Sequence, residues 1–135
     1  MTDRGAKAVI LDPDKNVLIV RRSKTHPYAP LTNDLPGGKV EDDETMPQGL
    51  IREIKEEIGV EVPTELVKLV GEYKADNYFG KTYEIELYEV MLSARPDVIL
   101  SFEHDKYEWI SLQEAEIVDE LFEGMLMSYK KTRSQ

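Results

Sequence analysis

The sequence predicts an α/β domain with antiparallel or mixed strand pairing. Three observations carry this. Short β-branched and aliphatic runs recur between turn residues, one segment reads as a well-punctuated helix, and the chain closes on an amphipathic helix. Ala6–Leu11 and Val17–Val20 read as strands joined across Asp12-Pro13-Asp14-Lys15-Asn16. Arg21–Asp34, with Pro27 and Pro30, reads as an irregular loop leading to Leu35-Pro36-Gly37-Gly38. A helix is expected from near Thr45 to Glu57 or Ile58. Asp43 or Thr45 caps it, Pro47 lies in its first turn, and Gly59 stands just past its end. Leu66–Tyr73 and Thr82–Leu92 read as strands around a polar segment, Lys74–Lys81, and Tyr107–Ile110 as a short strand. Leu112–Glu116 suits one helical turn. Asp119–Lys130 suits a helix that turns Leu121, Phe122, Met125 and Met127 or Tyr129 onto a sheet.

Composition bounds the function. The chain has 135 residues, 41% hydrophobic and 33% charged, with no repeat or dividing linker, which fits one domain over 1–135. No apolar run approaches the roughly 18 residues of a membrane span, and Met1–Gly5 lacks the apolar segment of a signal peptide. There is no cysteine, which excludes disulfides, Cys-based zinc sites and a thiol nucleophile and fits a cytoplasmic address. With only two histidines, a metal would sit on oxygen ligands, which points to Mg²⁺, Mn²⁺ or Ca²⁺. The net charge of −10 argues against a nucleic-acid polymer or an anionic membrane as partner. A small polyphosphate remains compatible when bound cations reverse the local sign.

The chemistry concentrates in Gly38–Val60, GKVEDDETMPQGLIREIKEEIGV. On a helix, Glu53, Glu56 and Glu57 stand at i, i+3 and i+4, so three carboxylates share one face while Leu50, Ile51, Ile54 and Ile58 form another. Like charges at this spacing cost roughly 0.2–0.5 kcal/mol per pair. A divalent cation would turn that repulsion into coordination, bridging carboxylates to substrate phosphates. Gly49, one turn before Glu53, is expected to leave space beside the site. Three glutamates on one helix face ordinarily mark solvated surface, so the surrounding sequence has to decide.

That surrounding sequence resembles the Nudix box, G-x5-E-x7-R-E-U-x-E-E-x-G-U with U aliphatic. Gly38, Glu44, Arg52-Glu53-Ile54, Glu56-Glu57 and Gly59-Val60 match every specified position. Leu35-Pro36-Gly37 looks like the family's usual lead-in. The resemblance implies a Nudix-type α/β/α sandwich with a mixed sheet between helices. It also implies an Mg²⁺-dependent hydrolase (Mn²⁺ can substitute) of phosphoanhydrides in nucleoside diphosphate-X compounds. Under it, Glu53, Glu56 and Glu57 are the metal-binding carboxylates and Gly38 offers a backbone carbonyl to metal. Arg52 orients the glutamates, and Glu44 is its structural partner. Glu53 or Glu103, the latter on the loop before the last strand, takes the proton from water. Arg21 or Arg22 could touch a phosphate.

The resemblance says less about the group attached to the phosphates. Ala75 stands where ADP-ribose pyrophosphatases usually carry proline, and Tyr78 falls where dinucleoside polyphosphate hydrolases usually carry tyrosine. Tyr73, Tyr78, Phe79 and Tyr83 are candidates to stack on a base. Length and compactness favour a MutT-like (d)NTP pyrophosphohydrolase. The alternatives are a dinucleoside polyphosphate or ADP-sugar pyrophosphatase, and a non-catalytic nucleotide-sensing module. The expected partner is a small nucleotide, and the family resemblance also allows a homodimer.

Overall fold

The computed structural model describes residues 2–27, 29–78 and 80–133. Among these residues, seven strands and two α-helices follow one another as β1 (Thr2–Leu11), β2 (Asn16–Arg22), β3 (Asn33–Asp34), β4 (Gly37–Val40), α1 (Met46–Ile58), β5 (Val67–Tyr78), β6 (Lys81–Met91), β7 (His104–Ser111) and α2 (Glu120–Arg133). The sheet is mixed. β1 runs parallel to β6 from Thr2↔Thr82 to Leu11↔Met91. On its other side, Arg4–Lys7 pair antiparallel with β4, and only Leu11↔Val17 joins β2. β2 then pairs with β3 and, from Asn16↔Ser111 to Arg22↔His104, with β7.

Both sheet faces are covered, which is why β1 and β2 read as continuous apolar runs rather than alternating ones. Ala6, Ala8, Ile10, Leu18 and Val20 pack on one face with Leu50, Ile54 and Ile58 of α1. Val9, Leu11, Val17 and Ile19 pack on the other with Phe122, Leu126 and Tyr129 of α2. β6 divides in the same way, Ile85 and Leu87 toward α2 and Tyr88 and Val90 toward α1. In the closing helix Tyr129 takes the core position and Met127 is exposed.

The signals at the ends of α1 work as read. Thr45 is the N-cap, its hydroxyl accepting from Gln48 N–H while the Gln48 side chain accepts from Thr45 N–H. Gly59 ends the helix in the left-handed region at φ 71°, its N–H donating to Lys55 O.

After Leu35-Pro36 the chain forms a strand that the sequence did not mark, with Gly37 and Gly38 opening β4. A Cβ at Gly37, whose φ is +129°, would lie 2.2 Å from Ala6 O, so only glycine lets β4 approach β1 here. Lys74–Lys81 is not only a connecting segment: β5 continues to Tyr78, which pairs with Lys81. Lys74 faces Glu84 across the strands at 3.8 Å.

Candidate active site

The three glutamates of α1 are graded by depth. Glu56 is exposed, Glu53 is mostly covered and Glu57 is buried. β4 sets this gradient. Its glycine backbone lies against the helix, and Gly37 N–H donates to Glu57 Oε1 at 2.7 Å. A Cβ at Gly38 would fall 3.0 Å from Glu53 Oε2. The strand therefore offers the carboxylates backbone and no side chain.

Arg52 ties this face together. Nε and Nη2 donate to the two oxygens of Glu44, each at 2.8 Å, a planar fork on a planar carboxylate. Nη2 also donates to Lys39 O of β4 at 3.0 Å, and Nη1 reaches Glu53 Oε1 and Glu56 Oε2, each at 3.2 Å. The loop carrying Glu44 is held in turn by Arg4, whose Nη1 donates to Glu44 O and Glu41 O at 2.8 and 3.1 Å.

The electrostatics follow. Two hydrogen bonds from Arg52, with one from Glu41 N–H, hold the Glu44 carboxyl down to about 2. Burial pushes Glu53 up despite Arg52, with Glu56 and Glu103 adding like charge. Burial also pushes Glu57 up to about 8, only partly offset by the Gly37 N–H.

Among the described residues no three acidic or histidine side chains already stand at metal-ligand spacing. The trio is thus not a finished cage, since Arg52 Nη1 lies between Glu53 and Glu56. The donor set nevertheless fits a hard divalent cation. All its donors are oxygens, and the glycine strand beside Glu53 and Glu57 has no side chain to bar a ligand. Glu57, pushed toward neutrality by burial and held by a backbone N–H, has the room in its charge balance that a cation would fill.

The structure disposes of Gly49 differently from expectation. A Cβ there would lie 2.8 Å from both Val40 methyl carbons, so Gly49 lets α1 press onto β4 and opens no space for a ligand. Glu103 comes close enough to act electrically on Glu53, because its loop is tied to the end of α1 through Ile99 N–H to Ile58 O and Ser101 N–H to Glu57 O. The Arg21 fork binds Asp105 at 2.8 and 2.7 Å. Arg22 is buried and donates to Asp34 Oδ2 at 2.9 Å. Tyr73 is exposed on β5. Tyr78 is placed only through its backbone pairing with Lys81; its side chain and Phe79 lie outside the described residues.

Sequence reasoning missed the ionic layer beneath the site. Lys7, 6% exposed on β1, pairs with Asp34 and, at 3.6 Å, with Asp119. The available signal was Lys7 itself, a charge amid an apolar strand in step with the inward-facing Val9 and Leu11. The pairing of His26 with Glu103, Nε2 to Oε2 at 3.7 Å, was also unread, because 77 positions separate the two residues.

The NUDIX domain model matches residues 1–128. A CTP pyrophosphohydrolase of Escherichia coli strain K12 is 32% identical over 114 residues, covering 80% of this chain and 76% of that protein. An 8-oxo-dGTP diphosphatase of Proteus vulgaris is 47% identical over 58 residues, 42% of this chain and 50% of that protein. The crystal structure of a MutT protein from Methanosarcina mazei Go1 superposes with a TM-score of 0.81 at 25% identity, covering 99% of this chain and 96% of that one. The family match and the relatives define a hydrolase of phosphorus-containing acid anhydrides. The chain belongs to the NUDIX domain family.

Proposed function

We propose that this chain is a MutT-like nucleoside triphosphate pyrophosphohydrolase, in which water cleaves a (d)NTP to the monophosphate and pyrophosphate. The observation that carries the reading is the Arg52 fork. A single guanidinium is locked on Glu44 and reaches both Glu53 and Glu56 beside the bare backbone of β4. Support for the substrate class comes from the two relatives, whose names each specify a nucleoside triphosphate. Ala75, in place of the proline usual among ADP-ribose pyrophosphatases, argues in the same direction.

Glu53, Glu56, Glu57 and the Gly38 carbonyl would hold Mg²⁺ or Mn²⁺. When bound, the cation neutralises phosphate charge and makes water more acidic. The protein does the rest. Arg52 keeps Glu53 and Glu56 oriented, and β4 excludes side chains from the face the phosphates approach. Glu53 or Glu103 accepts the proton of the attacking water. Arg21 is the more accessible of the two candidate phosphate contacts and would have to exchange Asp105 for the substrate.

The deciding experiment is a panel of NTPs, dNTPs, dinucleoside polyphosphates and ADP-sugars with Mg²⁺, product identity read by chromatography. The expected result is a monophosphate plus pyrophosphate from triphosphates, lost in Glu56→Gln and Glu57→Gln. Faster cleavage of an ADP-sugar or a dinucleoside polyphosphate than of any triphosphate would overturn the substrate assignment.

A further inference from the structure

A second cluster of chemistry-bearing side chains joins two loops beside α1. Ser23 N–H donates to Glu103 O at 2.8 Å, and His26 N–H donates back to Ser23 O at 3.1 Å. This turn delivers the imidazole of His26 to the Glu103 carboxylate. The ring is only 13% exposed while the carboxylate is 45% exposed. Behind His26 stands His104, ring centroids 6.0 Å apart and planes tilted by 53°. His104 is 5% exposed and its Nδ1 has no hydrogen-bond partner, so packing sets that ring and it serves as a wall for His26. The loop holding His26 is itself constrained. Ala29 and Leu31 adopt φ of 44° and 62°, and Leu31 N–H donates to Arg22 O.

Glu103 needs such a neighbour. Its backbone is fixed, with its N–H on Ser101 Oγ at 3.3 Å and its carbonyl on Ser23, but its side chain is half in water and free to choose among rotamers. We propose that His26 is a positioning residue for Glu103, its Nε2, 3.7 Å from Oε2, restricting the orientations open to the carboxylate while water is activated. The inference rests on reading Glu103 as a catalytic group.

A double-mutant cycle tests it, with kcat and KM measured on the nucleotide the panel finds fastest, for wild type, His26→Ala, Glu103→Gln and the double variant. Glu103→Gln should lower kcat. His26→Ala should lower kcat about tenfold, the scale of losing a group that orients another, with KM within about twofold. His26→Ala should have no further effect in the Glu103→Gln background. His26→Gln, which keeps an N–H donor near the place of Nε2, should recover most of the rate. Independently of turnover, the His26 ring nitrogen resonances should shift on Glu103→Gln. A wild-type rate for Glu103→Gln removes the role of Glu103, and the proposal with it. An impaired Glu103→Gln, with His26→Ala acting by the same factor in both backgrounds or with unmoved His26 resonances, overturns the proposal alone.

Discussion

Asp34 and Glu57 are both buried carboxylates, 5% and 9% exposed, yet they sit in opposite electrostatic states. Asp34 lies among cations. Burial alone would raise its pKa, but Lys7 and Arg22 outweigh it and hold the carboxyl below its ordinary range. Glu57 receives one N–H, from Gly37, and burial pushes it up to about 8. Equal depth therefore does not mean equal role. Compensated charge at Asp34 joins β1, β2 and the start of α2. Under-compensated charge at Glu57 costs stability and leaves a carboxylate ready for a cation.

The largest effect that would break this comparison is Asp34→Ala. It removes the nearer of the two carboxylates that balance Lys7 and Arg22, leaving Asp119 at 3.6 and 3.9 Å, and should destabilise the fold by about 3 kcal/mol in urea titration. A loss under about 1 kcal/mol would remove the structural role assigned to the pair. Glu57→Gln should do the reverse, since glutamine still accepts from Gly37 N–H without carrying charge. Metal-free at pH 9, the variant should be more stable than wild type by about 2 kcal/mol or more, one pKa unit being worth about 1.4 kcal/mol. Its kcat should meanwhile fall about 100-fold or more, the scale of losing one group that neutralises transition-state charge.

The pH profile of metal-free stability sharpens the same contrast, because the two residues contribute with opposite sign. The native-state pKa of Glu57 is raised, so the folded chain holds its proton when the unfolded chain has lost it. Stability should decline as pH rises from about 4.5 to about 8, and divalent cation should relieve the decline. The pKa of Asp34 is lowered, so its contribution is present above the unfolded value near 3.8 and should fade as pH drops below that. Thermal melts from pH 3 to 9 with and without Mg²⁺ check both limbs; a flat profile between 5 and 8 would contradict the state assigned to Glu57.

Smaller effects test the frame around Glu57. Arg52→Lys keeps the charge and loses the fork, and should lower activity about 10- to 100-fold with little change in melting temperature. Gly49→Ala should cost about 1–3 kcal/mol by pressing a methyl into Val40, and Val40→Ala should restore part of it.

Much of this was legible in the sequence, and the reason is locality. The limits of α1, its caps, its apolar stripe and the Arg-Glu pattern of the box all lie within a few turns of one another, where spacing translates directly into a shared face. Family membership followed from the same stretch. The strand at Gly37–Val40, the ribbon reaching Tyr78, the packing role of Gly49 and the burial of Arg22 were not legible. Each depends on which backbone comes alongside, and a register between distant segments leaves no periodic trace.

By itself, then, the sequence determined which helix would carry the carboxylates and what chemistry those residue types suit. Tertiary structure decided how deep each one lies and who stands beside it. Glu53, Glu56 and Glu57 are the same residue type on the same helix, yet β4, Arg52 and Glu103 place them in three different environments. A carboxylate's charge state depends on solvent access and on neighbours within a few ångströms, and only the folded chain supplies both.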